Sequence, residues 1–301
     1  MTELLPLCGP PTCAAEIRLP PPVERFRRAC WRGQVITGGE RLLAEETPVA
    51  FTYGGSSHAV MMATPCDLED FAVGFSLSEG IVTAADQIEA LEVIPSELGI
   101  ELRMSLVPAL REKYQRHRRY VAGPTGCGLC GVESLADACR PLRRSTSELR
   151  IAAASIHTAL GDLSRNQFLN RQAHALHAAA FCTPGGRLTV REDVGRHNAL
   201  DKLAGALACR GVTAASGFLV LSSRVSIEMV QKASLMDAAI IVAVSAPTAL
   251  AVRACEAAGL TLVAVARDDA FEVFSHPRRV DGDSSWRTMQ AGVLGCVLAK
   301  A

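Results

Sequence analysis

The sequence predicts an α/β protein in two parts: a C-terminal lobe on a mainly parallel sheet, and a smaller, mainly β N-terminal lobe. Three observations carry this prediction. From Phe218 to Val265, short apolar runs alternate with helical patterns, as expected of strands buried on both faces and joined by helical crossovers. From Gly33 to Val107 the apolar runs are short or alternating and are punctuated by glycine pairs, which suits strands joined by turns. The chain has 301 residues, 49% of them hydrophobic, with a mean hydropathy of +0.20. That is ample material for a core without disulfides or a structural metal.

Residues 1–30 read as a flexible tail, because Pro10, Pro11, Pro20, Pro21 and Pro22 stand in a stretch with no apolar period. The N-terminal lobe spans 31–110. It holds a strand at Val49 to Tyr53, a helix from Leu68 that ends at Gly80, and a strand pair at Ile88 to Ile94 and Gly99 to Val107. Residues 111–150 form a basic linker and a cysteine-bearing loop; Arg111 to Tyr120 carries five Arg or Lys against one Glu and reads as a solvated run. The α/β domain spans 151–301. It opens with a hairpin, Ala178 to Cys182 and Leu188 to Val190, turned by Thr183-Pro184-Gly185-Gly186. Strands follow at Phe218 to Leu221, Ala239 to Val244 and Thr261 to Val265. Helices lie at Asn198 to Ala208, Ile227 to Met236 and Ala249 to Ala258, the first and third closed by Gly211 and Gly259.

Charge and cysteine content exclude several classes. With 31 basic and 31 acidic side chains the chain has no global attraction to nucleic acid or to anionic membranes. The longest apolar stretch, Ala238 to Val252, is broken by Ser245, Pro247 and Thr248 and is too short to span a bilayer. No basic stretch followed by an apolar run precedes Pro22, so no secretory signal is expected. The eleven cysteines are scattered and odd in number, which argues against a disulfide framework and for a reducing cytoplasm.

An open α/β sheet binds ligands beyond the carboxyl ends of its strands, where helix N-termini point. The loops at those ends are Arg191 to His197, Ser222 to Ser226, Ser245 to Thr248 and Ala266 to Asp269. Any one of them reads as caps and solvated charge. Together, their hydroxyls, guanidinium groups and free amides read as a site for an anionic ligand such as a nucleotide phosphate.

A second chemical feature is Gly126-Cys127-Gly128-Leu129-Cys130-Gly131, placed just before a plausible helix at Glu133 to Cys139. A helix N-terminus lowers a thiol pKa and favours the nucleophilic thiolate. Structural zinc, dithiol redox chemistry and sulfur transfer stand about level on the CxxC alone, with the glycine flanks favouring a mobile carrier loop. Zinc lacks a second ligand pair at the right spacing, and no metal site is assigned. None of the seven histidines or eleven cysteines has Glu two residues on, which excludes the zinc nucleobase deaminase signature.

Five blocks closely resemble the formate dehydrogenase accessory sulfurtransferase family, the FdhD/NarQ type. They are ETPVAFTYGGSSHAVMMATPCDLEDFAVGFSLSEGI from Glu46, GCGLCG from Gly126, REDVGRHNALDK from Arg191, SSRVSIEMVQKA from Ser222 and SAPTALAV from Ser245. The resemblance implies a C-terminal lobe with a cytidine-deaminase-like fold that lacks the zinc chemistry. It implies a cytoplasmic, homodimeric sulfur carrier that takes sulfur from a cysteine desulfurase. The sulfur passes to the molybdenum cofactor, a bis-molybdopterin guanine dinucleotide, for formate dehydrogenase. Carried over residue by residue, Cys127 is the persulfide cysteine and Cys130 its partner. The cofactor-binding stretch is Val265, Ala266, Arg267, Asp268, Asp269 and Ala270, with Arg267, Arg224 and Lys232 as counter-charges for the phosphates. The alternative is a non-catalytic chaperone that binds the cofactor, with a structural or zinc-bound CxxC.

Two departures from the family pattern stand out. The family carries a Thr-Gly-Gly before the histidine in the region of Ala173 to His177, and a second basic residue is expected where Asp268, Asp269 and Ala270 stand. His58, His177 and His197 are given no role beyond core or capping contacts, and Cys139 reads as a buried helix residue.

Overall fold

The structure, a computed structural model, describes residues 18–118, 142–267 and 270–282. It opens with an antiparallel ribbon of two strands, β1 (Val23–Arg32) and β2 (Val35–Ala44). Most of β1 falls inside the residues 1–30 assigned to a tail, and that boundary is corrected. Both strands are exposed along nearly their whole length, so they lack the alternation by which a half-buried strand is recognised.

Four strands make the N-terminal sheet: β3 (Thr47–Tyr53), β4 (Ser56–Ala63), β5 (Ile88–Ser96) and β6 (Gly99–Leu106), in the order β4-β3-β6-β5. Its central pair, β3 and β6, is parallel and both outer pairings are antiparallel. Helix α1 (Leu68–Ser78) lies on one face. Its Phe75 stacks on Phe51 at 3.9 Å between ring centroids, and its Phe71 meets the same ring edge-on at 4.9 Å. The run from Arg111, expected as a linker, belongs through Arg118 to helix α2 (Pro108–Arg118). Proline is pre-organised for a first helical position, and Leu110 and Tyr114, four residues apart, rest on the core.

The C-terminal sheet has six strands: β8 (His177–Cys182), β9 (Leu188–Asp193), β10 (Phe218–Leu221), β11 (Ile240–Ala243), β12 (Thr261–Ala264) and β13 (Glu272–Ser275). Their order is β13-β12-β11-β10-β8-β9. The expected parallel core is present as β10, β11 and β12. The sheet as a whole is mixed, because β8, β9 and β13 enter through antiparallel pairings. A tight turn at Thr183 to Gly186, closed by Gly186 N–H to Thr183 O at 2.9 Å, and the short return to β13 permit only antiparallel neighbours. A further pair, β7 (Ile151–Ala152) and β14 (Val280–Asp281), is parallel and is joined by an Arg150–Asp281 ion pair.

Both faces of the large sheet are covered. One carries α5 (Arg196–Ala208), α6 (Ile227–Leu235) and α7 (Ala249–Ala258), whose Leu203, Met229 and Cys255 pack on Leu219, Ile241 and Leu262. The other carries α3 (Ala153–Asn166), whose Ile156, Leu160 and Leu163 pack on Phe218, Val220 and Val242. Alternate strand residues thus enter opposite cores, which is why these strands read as unbroken apolar runs. The short helix α4 (Asn170–Ala173) follows α3. Among the described residues, no helix is long and apolar enough to cross a membrane.

The two lobes meet where α1 crosses α5. A Cβ on Gly74 would lie 1.7 Å from the Asp201 carbonyl oxygen, and one on Gly205 would lie 1.8 Å from that of Asp70. Only glycine at both points lets the backbones approach this closely.

Candidate functional site

Because β9 runs antiparallel to β8, and β8 antiparallel to β10, the carboxyl ends of β9, β10, β11 and β12 lie on one side of the sheet. Backbone hydrogen bonds lock three of the four loops there into a shelf. Val244 N–H reaches Leu221 O at 2.9 Å, Ala266 N–H reaches Ala243 O at 3.0 Å, and Thr248 N–H reaches Val225 O at 2.9 Å. Ser222 holds β8 from both sides: its N–H donates to Ala178 O at 3.0 Å, and its Oγ accepts from Ala178 N–H at 2.8 Å. Helices α5, α6 and α7 all begin at this shelf.

The caps at the shelf differ. Thr248 Oγ1 accepts from Ala251 N–H at 3.2 Å and caps α7. Ser226 makes no such bond to α6; its hydroxyl donates instead to Glu228 Oε2 at 2.8 Å, and the same oxygen lies 3.1 Å from His197 Nε2. Burial, then the charges of Arg196 and Lys232, hold the His197 ring below the usual histidine range. Burial alone would raise the Glu228 carboxyl, but Ser226 and His197 outweigh it and hold the group low. His177, at the start of β8, is also held low, by burial and then by Arg196. Arg196 itself keeps a buried Nε without a partner among the described residues.

At the end of β12 the chain turns sharply. Val265 has φ 52, a left-handed conformation that is a genuine outlier for a β-branched residue. Its N–H points to Ser245 O at 3.3 Å, and Arg267 N–H closes a turn onto Ala270 O at 2.8 Å. The Arg267 side chain is exposed, as is Arg224 across the shelf, and neither has an ion-pair partner among the described residues. Of the stretch expected to bind the cofactor, Val265, Ala266, Arg267 and Ala270 are thus at the shelf, while Asp268 and Asp269 lie outside the described residues. Cys127, Cys130 and the helix expected at Glu133 to Cys139 also lie outside them.

One expected counter-charge is corrected. Lys232 Nζ sits 2.7 and 2.8 Å from the two carboxylate oxygens of buried Asp201, which also accepts from Ser78 Oγ at 2.6 Å. It is committed to the lobe junction and is not free for a phosphate. Most of the charged block from Arg191 serves the same purpose. Arg191 binds Asp70 at 2.6 and 2.8 Å, and Glu192 accepts the N–H groups of Leu169 and Asn170 at 2.9 and 2.8 Å. Asp193 and Lys202, both with fully buried side chains, pair at 2.7 Å. Asp193 also accepts from Thr64 N–H, Gly195 N–H and Asn198 Nδ2, while Lys202 donates to Thr64 O. Sequence reasoning missed this network, although an Asp and a Lys nine residues apart across a helix start gave a signal.

Burial raises four of the described thiols, those of Cys66, Cys182, Cys209 and Cys255. Burial pushes Cys66 up to about 11, although Lys202 Nζ lies 3.8 Å from its sulfur and opposes the shift. Burial likewise pushes Cys182 to about 11 and Cys255 to about 12. No grouping of three or more His, Cys, Asp or Glu suited to a metal occurs among the described residues.

The model of the FdhD/NarQ family matches residues 44–281. The chain belongs to the FdhD/NarQ family. Similar proteins include the sulfur carrier protein FdhD of Agrobacterium fabrum, 46% identical over 85% of this chain and 96% of its own. The FdhD protein of Cupriavidus necator is 46% identical over 88% and 93%, and that of Brucella abortus 49% over 80% and 90%. A crystal structure from Desulfotalea psychrophila, described as a candidate formate dehydrogenase accessory protein, has the same fold. Its TM-score is 0.68 at 23% identity, over 87% of this chain and all of the other. The FdhD/NarQ match covers both lobes and the shelf but leaves out all but the last residue of the β1–β2 ribbon.

Proposed function

We propose that this FdhD/NarQ protein is a sulfurtransferase. It carries sulfur as a persulfide on Cys127, from a cysteine desulfurase to the bis-molybdopterin guanine dinucleotide destined for formate dehydrogenase, in the cytoplasm and as a homodimer. The observation that carries the reading is that one chain holds both GCGLCG and a strand-end shelf with two exposed guanidinium groups, at Arg224 and Arg267, that have no ion-pair partner among the described residues. Relatives named sulfur carrier protein support it.

The transfer uses the two cysteines, a donor persulfide and a thiol reductant. Cys127 thiolate attacks the terminal sulfur of the donor persulfide, and the donor cysteine leaves as its thiolate. Cys130 thiolate then attacks the Cys127 sulfur, forming the disulfide and releasing the terminal sulfur as sulfide to the cofactor; a thiol reductant resets the pair. The cofactor, as substrate, lays its phosphates toward Arg224 and Arg267 at the helix N-termini.

The test is intact-protein mass spectrometry after incubation with a cysteine desulfurase and cysteine. A gain of one sulfur mass that reduction removes, and that Cys127→Ala alone abolishes, is expected. Absence of sulfur uptake together with bound zinc would replace this reading with the cofactor chaperone.

A further inference from the structure

The β1–β2 ribbon lies almost wholly outside the family-matched segment 44–281. In the middle of β2, Gly38 pairs with Ala29 and Gly39 with Arg28. Glycine inside a strand costs order and side-chain cover, and it often marks a place where something approaches the backbone closely. Nothing within the chain calls for glycine here. Neither residue has a positive φ, and a Cβ on either would meet nothing within 4 Å.

What the glycines leave is bare backbone among guanidinium groups. Arg41 is two residues from Gly39 on β2 and opposite Phe26, so Arg28 and Arg41 are diagonal neighbours on one face of the ribbon. With Arg25, Gln172 and His174 they line a concavity of about 420 Å³ between the ribbon and α4. Glu40 also lines it, but is bound to Arg25 at 3.1 Å. Neither Arg28 nor Arg41 has a carboxylate partner among the described residues. His174 keeps its place on the rim with φ 57, a conformation that costs energy for any residue but glycine.

We propose that this groove binds a phosphate dianion, free or as the phosphoryl group of a larger ligand. Arg28 and Arg41 are its two guanidinium forks. Paired N–H donors from two forks match the several acceptor oxygens of a phosphate, and the anion relieves the repulsion between two unpaired cations. The site is independent of the sulfur-transfer reading.

The test is calorimetric titration of the full-length protein with inorganic pyrophosphate and with inorganic phosphate. Each titration is repeated on Arg224→Ala with Arg267→Ala to remove binding at the shelf, and saturable binding at one remaining site per chain is expected. Arg28→Ala with Arg41→Ala should weaken it by about tenfold or more. Arg28→Lys with Arg41→Lys, which keeps both charges and removes the forks, should weaken it comparably, with the melting temperature of both variants unchanged. Arg267→Ala, at the shelf, should leave it intact. Stronger binding of pyrophosphate than of phosphate marks a larger phosphorylated ligand, and equal binding marks the free ion; either supports the site. Binding that survives both ribbon variants, or that is lost only with Arg267→Ala, overturns the proposal and leaves the sulfur-transfer reading untouched. Capture of a glutamate-rich peptide, but not pyrophosphate, through Arg28 and Arg41 also overturns it, in favour of a protein-docking face.

Discussion

The pair Asp193 and Lys202 shows how much one buried contact decides in this molecule. Both side chains are fully buried, and their remaining capacity is taken by Thr64, Gly195 and Asn198. Removing one partner leaves a charge in a low-dielectric interior, so Lys202→Met should cost about 3–5 kcal/mol in urea denaturation. The two shelf histidines set a pH dependence. Burial and Arg196 hold His177 and His197 low, so the folded protein refuses protons that the unfolded chain accepts below about pH 6.5. The stability that the neutral rings contribute is complete above that pH and is lost below it. His177→Gln with His197→Gln should therefore flatten the fall in stability between about pH 7 and about pH 5. Equal slopes in both proteins would assign the fall to other groups.

Single elements carry their own predictions. The crossing of α1 and α5 depends on two hydrogen atoms where other residues have a Cβ. Gly205→Ala places a carbon 1.8 Å from the Asp70 carbonyl oxygen, and the helices must part; a loss above about 2 kcal/mol is expected. Gly38→Ala meets nothing within 4 Å and should change stability by less than about 0.5 kcal/mol, which makes it the control in the same melting experiment. At the end of β12 the sign reverses. Val265 is strained at φ 52, so Val265→Gly should hold or raise stability by about 1 kcal/mol, where glycine normally costs a strand.

At the scale of the whole molecule, two lobes with separate cores are joined by polar contacts: Thr64 bonds to the Asp193–Lys202 pair, Ser78 to Asp201 of the Asp201–Lys232 pair, and Asp70 to Arg191. Such a junction couples their unfolding. The wild-type protein should melt in one calorimetric transition, and Lys202→Met should split it into two. Two transitions in the wild type would mean that the lobes are independent and the network is local.

The sequence by itself determined the elements whose surroundings are uniform along their length. Strands β10, β11 and β12 are apolar on both faces, and helices α5 and α7 end at Gly211 and Gly259, so local pattern and burial agree there. The strand-end loops were legible because turn residues and caps mark them, whereas the cysteine pair lies outside the described residues. The ribbon was not legible, because an exposed strand carries no alternation. Nor was α2, whose basic surface hides a single apolar contact pair. Only the tertiary structure decided which charges serve the fold. Arg191, Asp193, Asp201, Lys202 and Lys232 look like surface chemistry in the chain, yet each is held in an ion pair at the lobe junction, where Asp70, Thr64 and Ser78 of the N-terminal lobe meet them, and Arg224 and Arg267 are left exposed at the shelf. Burial and pairing depend on residues far apart in the chain, and no local pattern reports them.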